Sequence, residues 1–442
     1  MTNCTVQVLR GALYEECGEA VGADGACAAG HGADQGIMKA AEHHRAAPEM
    51  NLTTGKWPVT RKFFSVDDHI VEPADVWSKR VPAKFRDAAP HVNEADGREY
   101  WEYEGERALT MGLNAVAGKP RDQWTMEPAR FTDMIPGCYD PVARARDMVS
   151  DGITASVCFP TLPRFGGVLF TTFRDKELAD VCVKAWNDFI LDEWCAAAPD
   201  LFVPMPICQI WDPIAAAAEI RRTAGLGARA LCFPEETSYL GLPSFYSDFW
   251  DPIWDAVTET DMPVCMHIGS SGNMPYMPPD APFSLTISLA FVAAAQSAVG
   301  LMMSPVPRKF PTVKFVMSEG GIGWVPAALE RADRQVDRHK YWSGDDDLLP
   351  SEVCKRNFWF CMIEEPWGIN AARYEIGVDH ILWESDYPHA DTTFPNTQIS
   401  TKVVFDGIPD DEVELISYRN AEALFHWECK DPDDVRINAA GA

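Results

Sequence analysis

Eight short, nearly unbroken apolar runs recur along the chain, each separated from the next by a longer stretch, and this alternation restricts the fold more than any other feature. The runs are Phe63–His69, Ala155–Pro160, Leu201–Gln209, Ala228–Pro234, Pro263–Gly269, Lys314–Gly320, Asn357–Ile363 and His380–Asp386. A strand with one wet face alternates apolar and polar residues, whereas a strand covered on both faces by helices does not. The runs therefore predict buried parallel strands. Helical spacing fills Arg174–Ala198, Pro213–Ala224 after an Asp212 cap, Pro252–Glu259 after Asp251, Trp324–Arg338 and Asp410–Phe425. No Gly-rich phosphate loop follows the first run. That argues for an α/β fold closed as a (β/α)8 TIM barrel, and against an open dinucleotide-binding sheet.

The 442 residues and their 47% hydrophobic share suit one large core. The expected division is a disordered leader over 1–57, rich in Ala and Gly, then a barrel over 58–430 and a tail over 431–442. Met50 is an alternative start. The leader's Cys4, Cys17, Cys27, His31, His43 and His44 have no metal-site spacing. The connection after the first run, about 70–140, is abnormally long and carries Trp77, Trp101, Trp124 and Met126. An insertion of that length predicts a lid over a site, or else a peripheral subdomain at an oligomer interface.

A formal charge of -28 argues against a nucleic-acid partner or an anionic membrane, because both need a basic surface. Thirteen cysteines are scattered singly, with no CxxC pair, as expected of buried thiols in a cytoplasmic protein. The apolar stretch Leu285–Met303 is interrupted by Thr286, Ser288, Gln296 and Ser297 and reads as a buried helix, not a membrane span.

Barrels of this kind carry their chemistry at the C-terminal ends of the strands. The first run ends in Asp67-x-His69, and residues two apart on a strand share a face, so both can reach one cation. A carboxylate beside an imidazole suits Zn, Mn or Fe better than Ca. The fifth run ends in His267, the sixth in Ser318-Glu319-Gly320-Gly321 and the eighth in Glu384-Ser385-Asp386-Tyr387-Pro388-His389. Singly, each has a structural explanation: an acidic turn, a core histidine, a helix cap. Together Asp67, His69, His267 and Asp386 form a set of the size that a catalytic metal needs.

These motifs, with Phe159-Pro160-Thr161-Leu162-Pro163-Arg164-Phe165 and Met266-His267-Ile268-Gly269, resemble the decarboxylase-type branch of the amidohydrolase superfamily over about residues 62–428. The resemblance implies one divalent metal, Zn or Mn, held by Asp67, His69, His267 and Asp386, with Asp386 also catalytic. It implies a small carboxylic acid as substrate and a homodimer as the assembly. Many members have histidine or glutamate where this chain has Asp67. Much of the family also places a catalytic histidine where this chain has Glu319, so Glu319 stands here as base, acid or metal ligand. Arg164 resembles an anchor for the substrate carboxylate, since guanidinium binds carboxylate bidentately. His389 and Asp391 follow Asp386 and are placed to orient it. Trp186-Asn187 reads as helix packing.

The same ligands serve two chemistries. A metal can stabilise the charge that develops as CO₂ leaves, with Asp386 or Glu319 returning a proton to carbon. It can also activate water for attack at a C–N, C–O or C–C bond. Non-oxidative decarboxylation of an aromatic or unsaturated carboxylic acid is the first expectation, a metal-dependent hydrolase the second. A non-catalytic, ligand-binding barrel is the third.

Overall fold

The computed structural model describes residues 61–438, except 109, 273 and 344–347. The expected leader and its Cys and His residues lie outside the described residues. The strands are β1 Phe63–Ile70, β2 His91–Ala95, β3 Arg98–Tyr103, β4 Glu106–Arg107, β5 Ile153–Pro160, β6 Phe202–Val203, β7 Leu231–Cys232, β8 Val264–His267, β9 Phe315–Ser318, β10 Phe358–Met362 and β11 Ile381–Trp383. Each of the eight apolar runs overlaps a strand, β1 and β5 extending one and two residues beyond theirs, and these strands form two parallel sheets ordered β1-β5-β6 and β11-β10-β9-β8-β7. Every residue of β1 and β5 is buried, as continuously apolar sequence requires.

Two strands are much shorter than the runs that contain them, and proline explains one of them. Pro204 and Pro206 have no N–H to donate, so the run Leu201–Gln209 pairs regularly only at β6. Their carbonyls still accept: Arg229 N donates to Pro204 O at 2.9 Å and Cys232 N to Pro206 O at 2.9 Å, which ties the β6 segment to β7. On the other side His69 N donates to Tyr387 O at 2.7 Å and Asp386 N to Asp67 O at 2.8 Å, which ties β1 to the chain after β11. Asn187 supports the irregular stretch, giving Nδ2 to Ile207 O and accepting Ile207 N, both at 2.9 Å. Trp186-Asn187 is therefore helix packing, as expected.

The helices start where caps allow. Asp212 accepts from Ile214 N and Ala215 N, with Pro213 in the first turn. Asp251 is the first residue of its helix and not its cap; Ser247 caps the turn before it. Phe283–Met302 is only 39% buried, less than expected from sequence, and bends at Leu289–Ala290 into helices of 6 and 12 residues. Each is shorter than the roughly 20 residues that cross a bilayer.

The long insertion contains the antiparallel sheet β2-β3-β4 and short helical turns. Its Trp77 and Trp101 are fully buried, with ring centroids 5.3 Å apart, and Trp77 Nε1 donates to Cys182 O on the helix Lys176–Phe189. These two tryptophans anchor the insertion to the core and do not line a site. Met126 is 49% exposed. All ten described cysteines are buried and unpaired.

Candidate metal centre and active site

Alternation along β1 sends Asp67 and His69 to one face and Asp68 to the other. Asp68 is fully satisfied there: it accepts Ser156 Oγ at 2.5 Å and Tyr387 N at 3.0 Å, and the buried Arg144 lies nearby. Asp67 and His69 meet His267 from the end of β8, with ligand atoms within 4.8 Å of one another. A second group of the same size joins His69 to Asp386 and His389 from the loop after β11.

The contacts run in a chain. His69 Nε2 lies 3.2 Å from Asp386 Oδ1 and 3.3 Å from Asp67 Oδ1. His267 Nε2 lies 3.4 Å from Asp67 Oδ2 and 3.1 Å from Glu319 Oε2. His389 Nδ1 lies 2.9 Å from Asp386 Oδ1, and its ring stacks on His69 at 3.8 Å. None of these approaches is aligned as a hydrogen bond: both oxygens of Asp67 and of Asp386, both nitrogens of His69, and His267 Nε2 are buried without a partner. Buried polar atoms are otherwise nearly always paired.

The imidazole of His267 is oriented by a backbone carbonyl. Its Nδ1 faces Ile268 O at 2.6 Å. A carbonyl only accepts, so Nδ1 carries a proton, and Nε2 is the nitrogen turned toward the cluster. Burial pushes the His69 imidazole well below its usual pKa, and the neighbouring His389 and His267 add to this. Burial lowers His389 to about 4, against the pull of Glu319 and Asp391. Asp67 is pushed well up by burial and by the charges of Glu384, Asp386 and Glu319; Asp386 is pushed up by burial and by Glu319. Neutral imidazoles and crowded, unpaired carboxylates are what a divalent cation needs, and the residues present fit one.

Glu319 and Asp386 both have φ of +56°, and Arg164 has +57°. Such values are unfavourable for non-glycine residues and concentrate where function fixes the backbone. At Glu319 the conformation is held by Glu384, whose carboxylate accepts Glu319 N at 3.1 and 3.2 Å. Gly321 also has positive φ, and a Cβ there would run into the Glu365 carboxylate. Burial raises the Glu319 carboxyl, but the adjacent His267 outweighs it, so its pKa ends below the usual value.

Arg164 is exposed and outside the cluster, on the lining of a cavity of about 690 Å³ with Tyr103, Arg107, Leu162 and Phe165. Phe165 is the wall shared by cavity and cluster, its ring 3.9 Å from that of His267 and 4.9 Å from that of His69. Sequence reasoning missed Phe165, although it follows Arg164 directly. It also missed Arg144, whose Nη2 donates to His69 O and whose Nε donates to Gly137 O, both at 2.6 Å, with its guanidinium over the Tyr387 ring. Sequence reasoning gave no role to Glu72 either. It accepts Thr161 N, Leu162 N and Trp186 Nε1, and so shapes the turn that leads to Arg164.

Residues 74–427 match the amidohydrolase family, a stretch that begins just after the Asp67-x-His69 pair. The chain is 26% identical over 322 residues to the gamma-resorcylate decarboxylase of Rhizobium sp. (strain MTP-10005), covering 66% of this chain and 90% of that protein. Its fold is like that of an amidohydrolase from Mycobacterium avium subsp. paratuberculosis K-10, with a TM-score of 0.66, 20% identity, and 83% and 99% of the two chains covered. It is also like a dihydroxybenzoic acid decarboxylase from Polaromonas sp. JS666 with bound manganese and 2-nitroresorcinol, with a TM-score of 0.52, 18% identity, and 83% and 97% covered.

Proposed function

The chain belongs to the amidohydrolase family, and from that premise we propose that it is a metal-dependent enzyme that removes CO₂, without oxidation, from a small aromatic or unsaturated carboxylic acid. The observation that carries the reading is the set of buried, partnerless ligand atoms on Asp67, His69, His267 and Asp386. The decarboxylase relative supports the choice of chemistry. We also read the two parallel sheets as one closed (β/α)8 barrel over about 58–430, with the insertion over 70–140 and a tail over 431–442. The hydrogen bonds from Arg229 and Cys232 to the β6 segment, and from His69 and Asp386 across to the opposite strand ends, support closure.

A divalent metal, when bound, supplies the positive charge that attracts the substrate carboxylate and steadies the charge left as CO₂ departs. Asp67, His69, His267 and Asp386 would hold it. Arg164 anchors the acid from the cavity side, and Phe165 presents an aromatic wall. The bond from carbon to the carboxylate breaks, its electron pair stays on carbon, and Asp386 Oδ2 delivers a proton there. His389, against Asp386 Oδ1, orients that carboxyl group. Glu319 keeps its charge on the same rim. A homodimer is part of the reading, with the exposed Phe283, Ile287 and Phe291 as a face for it; the cytoplasm is its compartment, supported by the unpaired buried thiols.

The test is CO₂ release by metal-loaded protein from a panel of hydroxybenzoic and unsaturated acids, with esters and amides as the control class. Release from an acid, lost in Asp386→Asn, is the expected result. Hydrolysis of the controls with no CO₂ from any acid overturns it.

A further inference from the structure

We infer that Glu319 is itself a ligand of the metal, a third carboxylate in the set, and that it shifts the site's preference from zinc toward manganese. The inference rests on the metal centre proposed above but not on the reaction assigned to it. Two atoms each ~2.1 Å from one ion stand ~3.0 Å apart at a right angle and ~3.4 Å apart at a tetrahedral angle. The separation of Glu319 Oε2 from His267 Nε2 is 3.1 Å, within the span of those two values, as are the 3.2, 3.3 and 3.4 Å contacts among Asp386, His69, Asp67 and His267.

Three further observations point the same way. His267 Nε2 has no aligned hydrogen bond to Glu319 despite that distance, and the same nitrogen belongs to the group formed by Asp67, His69 and His267. The Glu319 side chain is 21% exposed in the cluster, and among the described residues no Lys or Arg pairs with it. Its backbone is held at φ +56° by the Glu384 carboxylate, which fixes where its side chain emerges.

The consequence is chemical. Asp67, Asp386 and Glu319 give three carboxylates to two imidazoles, five protein donors in all. A catalytic zinc site uses about three protein ligands with one place open. Oxygen-rich sets with more donors suit Mn²⁺ better, while imidazole suits Zn²⁺.

The experiment is calorimetric titration of the chelator-stripped full chain with Mn²⁺ and with Zn²⁺, for the wild type and Glu319→Gln, beside a crystal structure of the Mn²⁺-loaded wild type. The inference expects Glu319→Gln to bind Mn²⁺ about tenfold or more weakly, on the scale of losing a metal-supporting group, with a smaller loss for Zn²⁺ and an unchanged melting temperature of the metal-free protein. It also expects a Glu319 oxygen within bonding distance of the ion. Equal affinities for Mn²⁺ in the two proteins, a Glu319 carboxylate turned away from the ion, or a wild type that does not bind Mn²⁺ each overturn it. If Glu319→Gln does not fold, the wild-type crystal structure decides alone. A protein that binds Mn²⁺ through Glu319 but releases no CO₂ leaves this inference standing and removes the proposed reaction.

Discussion

Asp67 and Asp68 are neighbours on β1, both fully buried, yet they are treated in opposite ways. Asp68 faces outward from the cluster and is satisfied by Ser156, by Tyr387 N and by the charge of Arg144, leaving its pKa raised only to about 6. Asp67 faces inward with neither oxygen bonded and with acids as neighbours. Desolvating a carboxylate is expensive unless donors or a cation replace the water. The outward carboxylate has its donors in place, whereas the inward one has none. Burial alone does not distinguish them, but partners do.

The largest effect falls on the inward side. His267→Ala removes a proposed metal ligand whose ring is oriented by Ile268 O. We expect metal content, read by plasma mass spectrometry, to fall from about one ion per chain to near zero, and activity to fall with it by about a thousandfold or more. Retention of the metal would break the contrast between the two faces.

Next comes the same substitution made at both neighbours. Asp68→Asn replaces one of the two oxygens that accept Ser156 Oγ and Tyr387 N with an amide nitrogen and should destabilise the fold by about 1 kcal/mol. Asp67→Asn removes an uncompensated charge and should stabilise the metal-free protein by about 1–2 kcal/mol while weakening metal binding. Denaturant unfolding of the metal-free proteins checks both signs. Two shifts of the same sign would show that the faces do not differ as described.

Much of this contrast was legible in the sequence. Period-2 alternation separates Asp67 and His69 from Asp68, and strand ends placed His267, Glu319 and Asp386 on one rim. Continuous apolar runs located all eight parallel strands because burial on both faces leaves a one-dimensional trace. What was not legible depends on three dimensions. Arg144 sits two residues from Arg146 on one helix, and nothing local distinguishes the buried guanidinium under His69 from the other. The tryptophans at 77 and 101 are bulky apolar residues in an insertion, a composition that suits a lid as well as an anchor; only their contacts with each other and with Cys182 decide. The positive φ of Glu319 and Asp386 has no composition cue either, since neither residue is a glycine.

The smallest effect tests whether a satisfied carboxylate on the outer side still carries a penalty for burial. Asp151 accepts Thr397 N at 3.2 Å through both oxygens, yet burial outweighs those bonds and raises its pKa to about 7. In the unfolded chain the group ionises near pH 4. Between about pH 4 and pH 7 the folded state therefore holds more protons than the unfolded one, so stability falls as pH rises through that window and levels off above it. Asp151→Asn keeps an oxygen for Thr397 N and removes the charge. We expect it to flatten that slope, to add about 1–2 kcal/mol at pH 7.5 and to change little below pH 4, as read from urea midpoints across pH. An unchanged slope would mean that Thr397 fully offsets the burial of Asp151. The penalty for an uncompensated charge would then belong to the inward cluster alone, and the comparison between the two faces would sharpen.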